Sequence, residues 1–194
     1  MLAPSIPGYD YGKVQRSPVT VDEFKRLQSV VGFTDDDRQA LSDAGELFAD
    51  EAEALVDGWR KIIGSQEPLS EWFFGPDRKP DDEYKAAVKP RFVQWVVDTF
   101  TRPFDQTWLD YQEEIALRHT PAKKNKTDGV QAPPLVPLRY VLAFAVPVIA
   151  DMREHLVRKN LPVDEIERLH AAWTKAVILT LTLWSRPYTK QDLW

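Results

Sequence analysis

The sequence predicts an all-α fold, and three observations support this class. Apolar side chains recur at helical spacing along most of the 194 residues. No segment alternates apolar and polar residues in the manner of a β-strand. Prolines and glycines divide the chain into segments of helical length. We expect one domain over 1–194, because a chain of this length can bury a sizeable core.

The N-terminal helices are predicted from their capping residues. Residues 1–19 are rich in proline and glycine and should form an irregular arm. Thr20 and Glu23 have the spacing of a capping box, which predicts a short helix over 20–31. A threonine followed by three aspartates begins a longer helix over 34–64, because acidic residues stabilise a helix N-terminus.

Glycines and acidic residues set the next boundaries. Within the helix over 34–64 we expect a break near Gly45 or Gly58. The segment 68–74 should form a short helical turn. Three consecutive acidic residues then begin a helix over 81–99.

The C-terminal half contains three further predicted helices. Asp105 caps the first, which ends before Pro121 because the residue preceding a proline is disfavoured in the α region. A basic loop over 120–136 follows. Proline is well placed in a first helical turn, which supports helices over 137–159 and 162–184.

One of the three histidines lies where a metal ligand would be expected. His119 is spaced four and eight residues from Ile115 and Tyr111, so the three side chains share one helix face. An imidazole on the inner face of a last helical turn, in a helical chain rich in aromatic residues, predicts an axial ligand of haem iron.

Composition and charge exclude several classes of function. The net charge is −5 with both signs interspersed, which argues against a nucleic acid partner. The chain has no cysteine, which excludes disulfides, thiolate metal sites, iron–sulfur clusters and covalent c-type haem. This composition and the absence of a signal-peptide pattern predict a cytoplasmic location. The most apolar stretch, 141–150, is too short to span a bilayer, so we expect no membrane partner.

The two C-terminal helices are apolar on most of their circumference, so each must be covered on two sides. A partner subunit and a bound apolar cofactor are both candidate covers.

The remaining polar candidates have ordinary explanations. His155 lies near a helix C-terminus, where positive charge is favourable, and His170 borders an apolar stripe or a dimer interface. The basic loop over 123–126 should be solvated, with a haem propionate contact from one of its lysines as the alternative. Glu113 and Glu114 are expected to be exposed, and as consecutive residues they do not share a face as an acid–base pair would.

Several short motifs follow one another in a specific order and spacing. The strongest is the block from Trp108 to His119. The other motifs, in chain order, are Ile6 to Gly12, Gly58-Trp59, Arg91-Phe92, Trp95, Lys123-Lys124-Asn125, Thr127-Asp128, Arg139-Tyr140, Ala143-Phe144, Pro147, Ala172-Trp173, Trp184-Ser185 and Pro187-Tyr188. In combination they resemble the protoglobin family, the single-domain relatives of globin-coupled sensors.

This resemblance implies a globin fold with an additional N-terminal helix and an extended N-terminal arm. The globin core would span 34–184, with a C-terminal tail over 185–194. It implies a b-type haem with His119 as the proximal iron ligand. The haem iron would reversibly bind O2, CO or NO. Family members are typically homodimers built on the last two long helices.

The resemblance also implies which residues surround the haem. Arg91 would pair with a haem propionate. The other expected haem contacts are Trp59, Val88, Phe92, Trp95, Ile115, Val141, Phe144 and Val148.

Two positions depart from the family pattern. Arg60 stands where a tyrosine is common, and a guanidinium cannot stay buried without a partner. It would turn outward or toward a propionate, or it would point at the iron and favour anionic ligands or peroxide cleavage. Pro90 lies inside the distal helix and should kink or bulge it, which could widen the pocket or shift Phe92.

Two other classes of function remain open at this point. One is a haem enzyme with Trp59 and Arg60 as distal candidates, catalysing peroxidase-like or NO-detoxifying chemistry, or carbene transfer in an engineered form. The other is a gas-sensor module that acts through a partner protein.

Overall fold

The computed structural model describes residues 5–194, apart from the side chain of Asp192, and this part of the chain is helical. The first four residues of the expected arm lie outside the described residues. The α-helices are α1 (Val21–Val31), α2 (Asp35–Leu47), α3 (Ala52–Ser65), α4 (Glu67–Ser70), α5 (Asp82–Thr101), α6 (Gln106–Leu117), α7 (Leu138–Ala143), α8 (Ala145–Arg158) and α9 (Val163–Ser185). Short 3₁₀ turns follow α4 and α9, and the described residues contain no β-strand, only one isolated bridge.

The capping residues act as the sequence predicts. The Thr20 side chain accepts from the backbone N–H of Glu23, and the Glu23 carboxylate accepts from the backbone N–H of Thr20. Asp105 accepts from the backbone N–H of Trp108 at 2.9 Å and so fixes the start of α6. These local hydrogen bonds satisfy helix N–H groups that have no partner within the helix. That α1 is additional to the globin helices stays a prediction.

The helix expected over 34–64 is interrupted, as predicted, but the chain leaves it at Phe48, three residues after Gly45 and not at a glycine. Phe48 is buried, and its ring centroid lies 6.3 Å from that of Phe100 on α5. A Cβ atom built on Gly45 would lie 2.9 Å from Cβ of Phe100. Gly45 therefore allows α2 and α5 to approach closely and does not end the helix.

The helix expected over 137–159 is divided at Phe144 into α7 and α8. Pro147 has no N–H to donate to the carbonyl of Ala143, and its ring crowds that carbonyl, which explains the division. Pro90 has a different outcome, since α5 stays α-helical on both sides of it and no bulge interrupts the helix.

The described part of the N-terminal arm is bound to α5 and α6. The Tyr9 hydroxyl donates to the buried carboxylate of Asp98 at 2.6 Å. Arg91 donates to the carbonyl of Pro7 at 2.9 Å, and Arg118 donates to the carbonyl of Gly8 at 2.6 Å. The arm is irregular, as predicted, but its hydrogen bonds give it a defined path.

Helix α9 lies at the centre of the packing, against α2, α6 and α8. The core around it contains three indole rings, of which Trp173 lies between Trp59 and Trp95 at centroid distances of 6.2 and 5.8 Å. Within the described chain, no helix combines the length and apolar character needed to cross a membrane. The helices around α9 enclose the candidate site.

Candidate functional site

A cavity of about 240 Å³ lies beneath the N-terminal arm, bordered by α5, α6, α7, α8 and α9. Nine of the ten residues expected to contact a cofactor line it, and seven of the nine are apolar or aromatic. They are Val88, Arg91, Phe92, Trp95, Ile115, His119, Val141, Phe144 and Val148. The fold thus brings residues from three separate predicted helices to one enclosed space.

Trp59, the tenth expected contact, and Arg60, the other distal candidate, do not line the cavity. Trp59 is fully buried behind Phe92, at a ring centroid distance of 5.6 Å. Arg60 donates to the backbone carbonyl of Lys85 at 3.2 Å, and its guanidinium lies 3.7 Å from the Asp57 carboxylate. These two acceptors direct the Arg60 side chain along the outside of α5.

His119 lies in the turn immediately after α6, two residues beyond the end of that helix. Its Nδ1 atom is 2.9 Å from the carbonyl oxygen of Ile115. A carbonyl can only accept, so Nδ1 carries the proton and the Nε2 lone pair is free. No residue in the described chain forms a hydrogen bond with Nε2.

Burial keeps this imidazole neutral. His119 is surrounded by protein and only its cavity side is open, so desolvation lowers the pKa of His119 below its usual value. The positive charge of Lys124 acts in the same direction. A neutral imidazole is the form that binds a metal ion.

Three further contacts fix the position of His119. Its backbone carbonyl accepts from the N–H of Val136 at 2.8 Å and from the hydroxyl of Tyr188 at 3.2 Å. The Trp184 ring lies against the imidazole, with centroids 5.1 Å apart. Contacts to the backbone carbonyl and to the imidazole therefore both hold the orientation of the His119 ring.

One part of the cavity wall is cationic. Arg91 forms two hydrogen bonds with the carboxylate of Asp128, at 2.9 and 2.6 Å. Arg118 pairs with Glu114 at 3.0 Å. The ammonium of Lys124 donates to the backbone carbonyl of Trp72 at 2.7 Å. The remainder of the wall is largely apolar, so the cavity has one polar and one apolar side.

Two expectations about polar residues are wrong. Glu113 and Glu114 are buried and not exposed, because Glu113 pairs with Arg186 and Glu114 pairs with Arg118 and Lys123. The basic loop is not wholly solvated either. These pairings join segments that are distant in sequence, and periodicity in one segment cannot reveal them.

Sequence reasoning also missed most of the aromatic and loop residues of the wall. The loop residues contributed to the family resemblance, but no local pattern assigned them to the cavity. The unanticipated lining residues include Trp72, Phe73, Tyr84, Arg118, Thr127, Asp128, Tyr140, Thr180 and Trp184.

The other two histidines lie away from the cavity. His155 Nε2 is 3.6 Å from the Asp151 carboxylate, and His170 Nε2 is 3.0 Å from the carbonyl of Ile149. Among the described residues, no group of three or more His, Cys, Asp or Glu could hold a metal ion.

Comparisons with known proteins identify the family and the fold. The Protoglobin family model matches residues 20–194. Among solved structures, the globin domain of the Geobacter sulfurreducens globin-coupled sensor is similar, with a TM-score of 0.65 at 17% sequence identity. The match covers 86% of this chain and 97% of that domain. No curated protein matches the chain.

The helical architecture shared with that domain is a globin fold. The chain belongs to the protoglobin family, because the family model covers nearly all of it. Membership of a globin family implies a haem cofactor. The residues at the cavity fit this group, since they offer one free imidazole nitrogen, apolar walls for a porphyrin and cations for its carboxylates.

Proposed function

We propose that this protein holds a b-type haem through His119 and reversibly binds diatomic gases at its iron. One observation carries the proposal: the hydrogen bond from Nδ1 to the Ile115 carbonyl leaves Nε2 as the free nitrogen of a neutral ring beside an apolar cavity. The absence of cysteine supports a non-covalently bound haem.

Haem iron supplies reversible coordination of O2, CO or NO. The chain contributes the surroundings. Val88, Phe92, Val141, Phe144 and Val148 exclude water from the side opposite His119 and so favour small apolar ligands. Trp59 packs behind Phe92 and fixes its ring.

Arg91 binds a propionate in this proposal. Its guanidinium holds the carboxylate of Asp128 in a bidentate pair, and this geometry supports carboxylate binding at Arg91. A propionate would share the five guanidinium donors with Asp128 or replace it.

The contacts of Arg60 do not favour peroxide chemistry. A distal arginine would assist cleavage of peroxide only if it faced the iron, and Arg60 is engaged with Lys85 and Asp57 outside the cavity. A gas-sensor role and a cytoplasmic location stay predictions.

Absorption spectra of the ferric, ferrous and ferrous-CO forms test the proposal. Wild-type protein reconstituted with haem should show a Soret band that shifts on addition of CO. His119→Ala should lose the wild-type spectrum, and added imidazole should restore part of it. His155→Ala is the matched control and should retain the spectrum. A spectrum unchanged in His119→Ala, or a wild type that takes up no haem, would refute the assignment.

We further propose a homodimer through α8 and α9. Val146 on α8 is 70% exposed, and Val157 and Ile178 on the same pair of helices are also exposed. A patch of large apolar side chains on neighbouring helices is typical of a protein interface. The prediction that nucleic acid is not a partner rests on the interspersed charges alone.

A further inference from the structure

Three cationic side chains line the cavity, and they differ in their partners. Arg91 has the carboxylate of Asp128, and Arg118 has the carboxylate of Glu114. Lys124 has no carboxylate within ion-pair distance in the part of the chain that the structure describes. Its ammonium is the cavity cation whose charge is not balanced by the protein.

Lys124 is also the most deeply buried of the basic side chains at the cavity, with 3% of its surface exposed. An ammonium has three donors, and here one hydrogen bond, to the Trp72 carbonyl, is present. The ring of Tyr84 adds a cation–π contact, with Nζ 5.2 Å from the centroid. These neutral groups compensate only part of the cost of removing a charge from water.

Lys124 is related in position to two of the predicted haem contacts, His119 and Arg91. It lies five residues after His119, on the loop that also supplies Asp128 to Arg91. Tyr84 lies beside Lys124, and the charges of Arg91 and Asp128 both act on its hydroxyl. Lys124 and Arg91 are therefore on the same side of the cavity.

We propose that the Lys124 ammonium binds a carboxylate of the cavity ligand, and that Lys124 and Arg91 hold one haem propionate each. This inference rests on the proposed function, which supplies a ligand with two carboxylates. A carboxylate at Lys124 completes the partly satisfied ammonium, whereas a carboxylate at Arg91 shares its donors with Asp128 or replaces it.

Burial lowers the pKa of Lys124 to about 8, so the side chain is still mainly protonated at neutral pH. A propionate within hydrogen-bond distance would favour the charged form further. The alternative role for Lys124 is purely structural, a link between the loop and the Trp72 carbonyl in the 3₁₀ turn that follows α4.

The two roles are separated by comparing haem with haem dimethyl ester, in which both propionates are neutral. Lys124→Met keeps the length of the side chain and removes the charge. Lys126→Met is the matched control, since Lys126 is exposed on the same loop. Affinity is measured by transfer of each porphyrin to an apoprotein acceptor.

We expect Lys124→Met to bind haem about tenfold more weakly than wild type, the effect of losing one charge-assisted hydrogen bond. Its affinity for the dimethyl ester should equal that of wild type, and Lys126→Met should bind both porphyrins normally. Lys124→Gln provides the same comparison if the methionine variant does not fold.

Equal losses for haem and the ester would mean that Lys124 is a structural link, and an unchanged haem affinity would mean that it holds no propionate. Either result overturns this inference and leaves the proposed function intact. A wild type that binds neither porphyrin overturns both.

Discussion

The Nδ1 atom of His119 lies 2.9 Å from the carbonyl oxygen of Ile115, four residues earlier in the chain. The backbone of α6 thereby determines which imidazole nitrogen keeps its proton and which is free. The same helix provides Ile115 as part of the cavity wall. The single turn from Ile115 to His119 therefore determines which imidazole nitrogen is free and also contributes Ile115 to the apolar wall.

We predict that Tyr188→Phe lowers the free energy of unfolding by about 1–2 kcal/mol, because the hydroxyl bonds to two backbone carbonyls, those of His119 and Val136. Haem should also dissociate faster, since the turn that carries His119 loses a hydrogen bond. Urea denaturation and haem-transfer rates measure the two effects. Tyr11→Phe is the control, because its hydroxyl forms no hydrogen bond within the described chain. Equal effects of the two substitutions would contradict the assigned role of Tyr188.

We predict that Asp128→Ala destabilises the haem-free protein by about 3 kcal/mol, because it leaves the part-buried guanidinium of Arg91 unpaired. The loss should be smaller in the haem-bound protein if a propionate replaces the missing carboxylate. Denaturant unfolding of both forms checks this. Asp36→Ala, at an exposed position on α2, should show no such difference. The same loss with and without haem would argue against a propionate at Arg91.

Gly45→Ala should destabilise the protein by about 1–3 kcal/mol, because the new methyl group would lie 2.9 Å from Cβ of Phe100. Gly64→Ala is the matched control. Gly64 lies in α3 with no atom within 4 Å of an added Cβ, and alanine there should increase stability by several tenths of a kcal/mol. Thermal unfolding of the two variants measures the contrast. Stabilisation by both substitutions would show that the α2–α5 contact can relax.

The pKa of Lys124 predicts a pH dependence of the haem-free protein. Burial lowers it to about 8 in the folded state, below the value of about 10.5 in the unfolded chain. Between these values the unfolded chain binds more protons, so stability rises with pH from about 8 to 10. The size is on the order of 2 kcal/mol after allowance for solvent screening.

Wild type and Lys124→Met should be compared by denaturant unfolding across this range. Tyr84 and Tyr111, whose pKa values are raised to about 12 by burial, oppose the rise only above about pH 10 and do so in both proteins. The difference in the free energy of unfolding between the two proteins therefore reports the titration of Lys124. A difference that is constant with pH would mean that Lys124 titrates normally.

The proposed dimer predicts that Val146→Lys yields a monomer, because a charge would enter an apolar interface. Val30→Lys changes an equally exposed valine on α1 and should leave the dimer intact. Sedimentation equilibrium gives the mass of each protein. A dimeric Val146→Lys variant, or a monomeric wild type, would refute an interface on α8 and α9.

The sequence determined the helix starts because their signals are local. Thr20, Thr34 and Asp105 each bond to a backbone group three residues away, so tertiary contacts are not needed to predict them. The spacing of His119 with Ile115 is equally local, and it identified the candidate ligand. The other residues expected at the cavity came from the resemblance to the protoglobin family and not from a local pattern.

Tertiary structure alone decided the polar side of the cavity and the place where α2 ends. Arg91 meets Asp128 across 37 residues, and Lys124 meets the Trp72 carbonyl across 52. The helix break falls at Phe48 because that ring packs on α5, while Gly45 serves the close approach of two helices. Such contacts depend on which distant segments the fold brings together, and helical periodicity carries no information about that pairing. The charge balance of the site therefore depends on the folded chain. The candidate histidine, by contrast, can be identified from the twelve consecutive residues Trp108 to His119.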